Sequence, residues 1–150
     1  MRKRFGIGLG VLLIDRISKY LVANLLEEGQ SIPLIRGIVH LTYVRNTGAA
    51  FGILSGQRFF FIAVALVAVM LLIIYARQVK GNGLLQVAFG LLLGGAVGNL
   101  IDRLVYVAVI DFIDFRIWPV FNFADMAIVI GVALFALDLV LEWKQSCYEV

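Results

Sequence analysis

The chain has 150 residues, 62% of them hydrophobic and only 15% charged, with a net charge of +3 and a mean hydropathy of +0.99. Soluble domains carry roughly 45–50% apolar and about 25% charged residues, and so short a chain has too little interior to hide this excess from water. A water-soluble globule is excluded, and lipid is the expected solvent for much of the surface.

Taken in order, the apolar runs predict an all-α polytopic membrane protein with four transmembrane helices and a small extracytoplasmic β segment. The helices fall at about 5–26, 59–76, 83–102 and 122–142, since a bilayer core needs roughly 20 apolar residues per helix. Arg2, Lys3 and Arg4 open the first, and Asp15, Arg16 and Lys19 interrupt it. Those charges, with no Ala-x-Ala-like site close behind, point to a retained helix and not to a cleaved leader. Residues 28–58 are punctuated by Gly and Pro around the β-branched and aromatic run Ile38–Val44, which reads as a strand. The second helix carries no charge between Phe59 and Ala76. The third has Gly90, Gly94 and Gly98 at spacing four, a smooth stripe on which another backbone can pack closely. Residues 103–121 read as a loop containing Asp111 and Asp114, with Trp118 suited to the interface. Asn122 and Asp125, three apart, resemble the start of a capped helix. The whole is expected to be one membrane-embedded domain.

Basic residues at helix ends (Arg2–Arg4, Arg77, Lys80, Lys144) place both termini in the cytoplasm and residues 28–58 and 103–121 outside. With about 1.5 Å of rise per residue, Asp15 lies near mid-bilayer, while Asp102, Asp111, Asp114 and Asp125 gather at the outer face. Each acid has an ordinary structural explanation, Asp15 and Lys19 for instance neutralising each other four residues apart. Ionisable groups at membrane depth are nonetheless functional candidates by default. Depth alone does not choose between Asp102 and Asp111 as a partner for Asp125. With only Cys147 and His40, the sequence offers little to a disulfide framework, a His/Cys metal site or a Ser–His–Asp triad. Carboxylates are left to do any hydrolytic chemistry. No nucleic-acid partner is expected, because no basic patch with interleaved aromatics occurs.

Five segments in register resemble the lipoprotein signal peptidase (signal peptidase II) family. They are Asp15-Arg-Ile-Ser-Lys19, Asn46-Thr-Gly48-Ala-Ala50-Phe, Gly94-Gly-Ala-Val-Gly-Asn99-Leu-Ile-Asp102-Arg103, Val109-Ile-Asp111-Phe and Phe121-Asn122-Phe-Ala124-Asp125. Arg16 and Ser18 are variants within the first block. The resemblance implies an aspartic endopeptidase of the bacterial inner membrane with Asp111 and Asp125 as its catalytic pair. Asp15, Lys19, Asn46, Gly48, Ala50, Asn99, Asp102, Arg103, Asn122 and Ala124 are implied to support the site or bind substrate. The implied substrate is a prolipoprotein whose cysteine carries diacylglycerol, presented among membrane lipid and cut just before that cysteine, with no cofactor. The alternative is a proton-coupled transporter using intramembrane carboxylates, although no internal repeat is visible. Gly-x-Gly-Asp and Asp-Thr-Gly, the marks of two other aspartic protease types, are absent.

Overall fold

The computed structural model describes residues 2–49, 53–78 and 83–148. Among them run α1 (Arg2–Leu25), β1 (Ser31–Ile35), β2 (Val39–Asn46), α2 (Arg58–Gln78), α3 (Gly83–Val105), β3 (Val109–Asp114) and α4 (Phe123–Tyr148). Stretches within α2, α3 and α4 are long and apolar enough to cross a membrane: Arg58–Tyr75, Gly83–Val105 and Phe123–Gln145. In hydrocarbon a helix is the form that satisfies its backbone polar groups within its own segment. α1 is as long, at 24 residues, but carries three charges in its second half. Their positions follow a pattern: Asp15 and Lys19 are buried, whereas Leu9, Leu13, Ile14, Ile17 and Leu21 on the remaining face are exposed. Exposed apolar residues on α1, α2 and α4 make an outer surface suited to lipid.

α3 is the central post, packing against α1, α2 and α4. The glycine stripe explains how near α1 comes. A Cβ at Gly94 would sit 2.5 Å from the Gly8 carbonyl oxygen and 2.8 Å from Val11 Cβ, so any larger residue would push the helices apart. This contact also sets their axial register, Gly90 lying beside Ile7, Gly94 beside Gly8 and Val11, and Gly98 beside Asp15. α2 is joined to α3 at the far end, where Arg58 donates from Nε to the Arg103 carbonyl (2.8 Å) and from Nη2 to that of Leu104 (2.7 Å). Those are the carbonyls a helix C-terminus leaves without intrahelical partners.

The strands form one antiparallel sheet in the order β1-β2-β3. The expected strand over 38–44 is found as β2. The second outer segment, expected as a loop, instead contributes β3, with Val44 opposite Asp111, Arg45 opposite Ile110 and Asn46 opposite Val109. Asp111 and Asp114 are accordingly 2% and 5% exposed, not solvated. The alternation that would mark a strand is hidden in β3, since nearly all its residues are buried, and an element covered on both faces lacks the polar-out signal. Asp114 is satisfied by Thr42 Oγ1 (2.8 Å) and by the backbone N–H and guanidinium of Arg116. Phe112 joins Val22 and Leu26 in a small core with Leu41, Tyr43 and Ile113, which seats the sheet on the end of α1.

Candidate active site

Asp125 occupies the first turn of α4 as half of a reciprocal cap. Its N–H donates to Asn122 Oδ1 (2.9 Å) and its Oδ2 accepts the Asn122 N–H (3.2 Å). The capped start read from the sequence is therefore real, and it does not compete with a chemical role: the cap leaves Asp125 Oδ1 free to accept from Asn99 Nδ2 at 2.7 Å. Asp111 projects from β3 and accepts from two amides, Asn122 Nδ2 on Oδ1 (2.6 Å) and Asn46 Nδ2 on Oδ2 (3.0 Å). One residue, Asn122, thus touches both acids.

The three asparagines are oriented by partners that have a single role. Asn46 Oδ1 accepts the Gly48 N–H (2.9 Å), which turns its Nδ2 toward Asp111. Asn122 Oδ1 is engaged by the Asp125 N–H, which leaves Nδ2 for Asp111 and, at 3.3 Å, for Asn99 Oδ1. Asn99 Oδ1 also accepts from Lys19 Nζ (3.0 Å), an ammonium that can only donate. Asn99 Nδ2 must therefore face Asp125. Each carboxylate receives defined donors as a result, and its lone-pair directions are fixed.

Burial raises the Asp111 carboxyl, and the neighbouring charge of Asp125 adds to the effect. Together they outweigh the lowering by Asn46, Asn122 and Lys19 and push Asp111 up to about 7. Near neutral pH Asp111 therefore resists ionisation beside the Asp125 charge. Both line a cavity of about 950 Å³. α2 contributes Val64, Ala68 and Leu72, α3 contributes Leu92 and Ala96, and α4 contributes Ile128 and Val129. The Arg103 guanidinium lies over the Phe61 ring, 5.0 Å from its centre, at the junction of the apolar walls and the acids. The arrangement is a carboxylate pair at one end of a large apolar cleft. Among the described residues no group of three or more His, Cys, Asp or Glu side chains gathers to hold a metal.

Beneath the acids lies a buried cluster of four charges. Lys19 Nζ is 3.0 Å from Asp15 Oδ2 and 2.8 Å from Asp102 Oδ2, while Arg16 Nη2 is 2.9 Å from Asp15 Oδ2 and 2.6 Å from Asp102 Oδ1. The expected Asp15–Lys19 pairing is present but is half of a larger assembly. Depth counted from each helix start had placed Asp15 and Asp102 at different levels. The α1–α3 register brings them to the same two cations, because α1 starts well up the side of α3. Arg16, a variant within the first block, joins this cluster by meeting both acids. The available signal was charge balance, two buried acids requiring two cations.

Of the other expected residues, Gly48 and Ala124 act through backbone N–H groups, to Asn46 and Asp15 respectively. Gly98 leaves the space Asp15 occupies, since a Cβ there would be 2.7 Å from Asp15 Oδ2. Ala50 lies outside the described residues.

Residues 7–141 match the family model described as signal peptidase (SPase) II. The lipoprotein signal peptidase of Halothermothrix orenii is 49% identical over 136 residues, covering 91% of this chain and 92% of its own. That of Moorella thermoacetica is 48% identical over 136 residues, covering 90% and 91%. A bacterial membrane enzyme structure determined in meso at 2.3 Å superposes with a TM-score of 0.89 at 35% identity, over 97% of this chain and 92% of that one. A second, at 1.9 Å, gives 0.83 at 36% identity over 93% of each.

Proposed function

The chain belongs to the signal peptidase II family, and from that premise we propose that it is an aspartic endopeptidase of diacylglyceryl-modified prolipoproteins, with Asp111 and Asp125 as catalytic residues. The observation that carries this reading is the pair of carboxylates from separate elements, joined through Asn122 and facing one apolar cleft. The ionised acid takes a proton from water as the water oxygen attacks the scissile carbonyl. The protonated acid donates to the developing oxyanion. Collapse of the tetrahedral intermediate breaks the C–N bond, and a carboxyl proton passes to the departing amine. The raised Asp111 carboxyl suits it to carry the shared proton.

The cleft gives the substrate's parts separate places. The apolar walls from α2, α3 and α4 suit the acyl chains and the end of the signal helix, and Arg103 and the three asparagines suit the peptide. We place α1 across the bilayer as a fourth span, because its charges face inward and its outward residues are apolar. Both termini are then cytoplasmic, the sheet and the acids lie at the outer face, and the chain forms one domain in the bacterial inner membrane. The relatives do not favour a proton-coupled transporter.

Purified protein incubated with a diacylglyceryl-modified prolipoprotein should release the shortened product. Asp111→Asn and Asp125→Asn should each abolish release while remaining folded, since an amide replaces neither the proton acceptor nor the acid. Substantial turnover by either variant overturns the assignment.

A further inference from the structure

The residue before each proposed catalytic acid is held by a carboxylate of the buried cluster. Ala124, just before Asp125, donates its N–H to Asp15 Oδ1 at 3.1 Å. Ile110, just before Asp111, donates its N–H to Asp102 Oδ2 at 3.2 Å. Asp15 and Asp102 come from different helices and would repel each other. Arg16 and Lys19 each touch both, and the side chains of the two acids are 0% exposed. Lys19 spends its three protons on Asp15, Asp102 and Asn99. Arg16 Nη2 donates to Asp15 and to the Gly98 carbonyl, so its 2.6 Å approach to Asp102 is an ion contact beyond those two bonds.

We infer that Arg16 and Lys19 are positioning residues: by tying Asp15 to Asp102 they set the separation of the two backbones that carry Asp125 and Asp111. One cation would not suffice, because two dry carboxylates sharing a single positive charge leave a net negative site that pushes α1 and α3 apart. Arg16 completes the balance. The gap between the acids controls how strongly they share a proton, so the tie sets a chemical property as well as a shape. The inference rests on the proposed catalytic pair.

The test is the pH dependence of kcat/KM for Arg16→Met, purified in detergent, on a diacylglyceryl-modified prolipoprotein peptide. The charged groups around the pair include Asp15 and Lys19 of α1, Arg103 of α3 and Arg45 of β2, with Arg16 and Asp102 one contact further away. A loosened tie should lower kcat about tenfold or more, as misplacement of reacting groups does. It should also move the acidic and alkaline limbs toward each other by roughly half a unit or more, because acids farther apart interact less. A merely structural role reduces the amount of active protein and leaves the limbs where they are. Loss of a cation's field alone moves both limbs the same way, to higher pH. Unmoved limbs, or limbs displaced together, overturn the inference. If Arg16→Met gives no folded protein, Asp15→Asn carries the same test, since it keeps an oxygen for the Ala124 N–H but loses the charge that holds the cations. Activity in Asp111→Asn or Asp125→Asn removes the catalytic pair itself, whereas inactive pair variants with unmoved limbs in Arg16→Met remove only the tie.

Discussion

Adding one methyl group at Gly98 should damage this protein more than most single changes of that size. The new Cβ would lie 2.7 Å from Asp15 Oδ2, 3.2 Å from its Cγ and 3.3 Å from Ala124 Cβ. Asp15 has nowhere to retreat, because Arg16, Lys19 and the Ala124 N–H hold it in place. Relief requires α1 to move off α3 or Asp15 to give up a partner. Overpacking costs about 1–3 kcal/mol, and a lost hydrogen bond to a buried charge about 1.5–3 kcal/mol. A combined loss of roughly 3–5 kcal/mol lowers the Tm by about 6–20 °C for a chain of this length. Gly10 is the internal control. Nothing lies within 4 Å of a Cβ there, so Gly10→Ala should raise stability by about 0.5–1 kcal/mol through the helix preference for Ala. Thermal unfolding of both variants in one detergent, followed by intrinsic fluorescence, makes the comparison. If Gly98→Ala melts within about 2 °C of Gly10→Ala, the packing argument and the pinned position of Asp15 are both wrong.

Two further predictions concern charge. Asp15→Ala and Lys19→Ala should each cost about 3–5 kcal/mol by stranding a buried charge, and the double variant should cost less than either because Arg16 and Asp102 remain balanced; strictly additive losses in a detergent melt refute the coupling. Asp111, raised to about 7 first by burial and then by the Asp125 charge, resists ionisation in the folded state, so its contribution to stability is present at low pH and lost as pH rises through about 7. Asp125→Asn removes the second cause, and the Asp111 carboxyl, followed by infrared difference spectroscopy, should then titrate lower; an unchanged or higher titration refutes the electrostatic link.

Much of the scaffold was legible locally. Uncharged runs such as Phe59–Ala76 have no stable place in water, so α2 and its burial in lipid follow from composition alone. The cap at Asn122 and Asp125 was legible because both partners lie within one turn. The strand β2 announced itself through β-branched and aromatic residues, but β3 did not, its acids being masked by a surround that buries both faces.

The sequence by itself determined which segments are helices, that they belong with lipid, and that carboxylates are the chemical groups available. Only the tertiary structure decided which carboxylates meet. Asp102 and Asp111 lie nine residues apart and were equal candidates from depth, yet Asp102 turns to Arg16 and Lys19 while Asp111 turns to Asn46 and Asn122. That division depends on the axial register of α1 against α3, which a few close contacts at Gly90, Gly94 and Gly98 establish between residues some 80 positions apart. Hydrophobic periodicity reports which face of a helix is buried. It carries no record of how far one helix slides along another, and that offset is what brought Arg16 to the two acids.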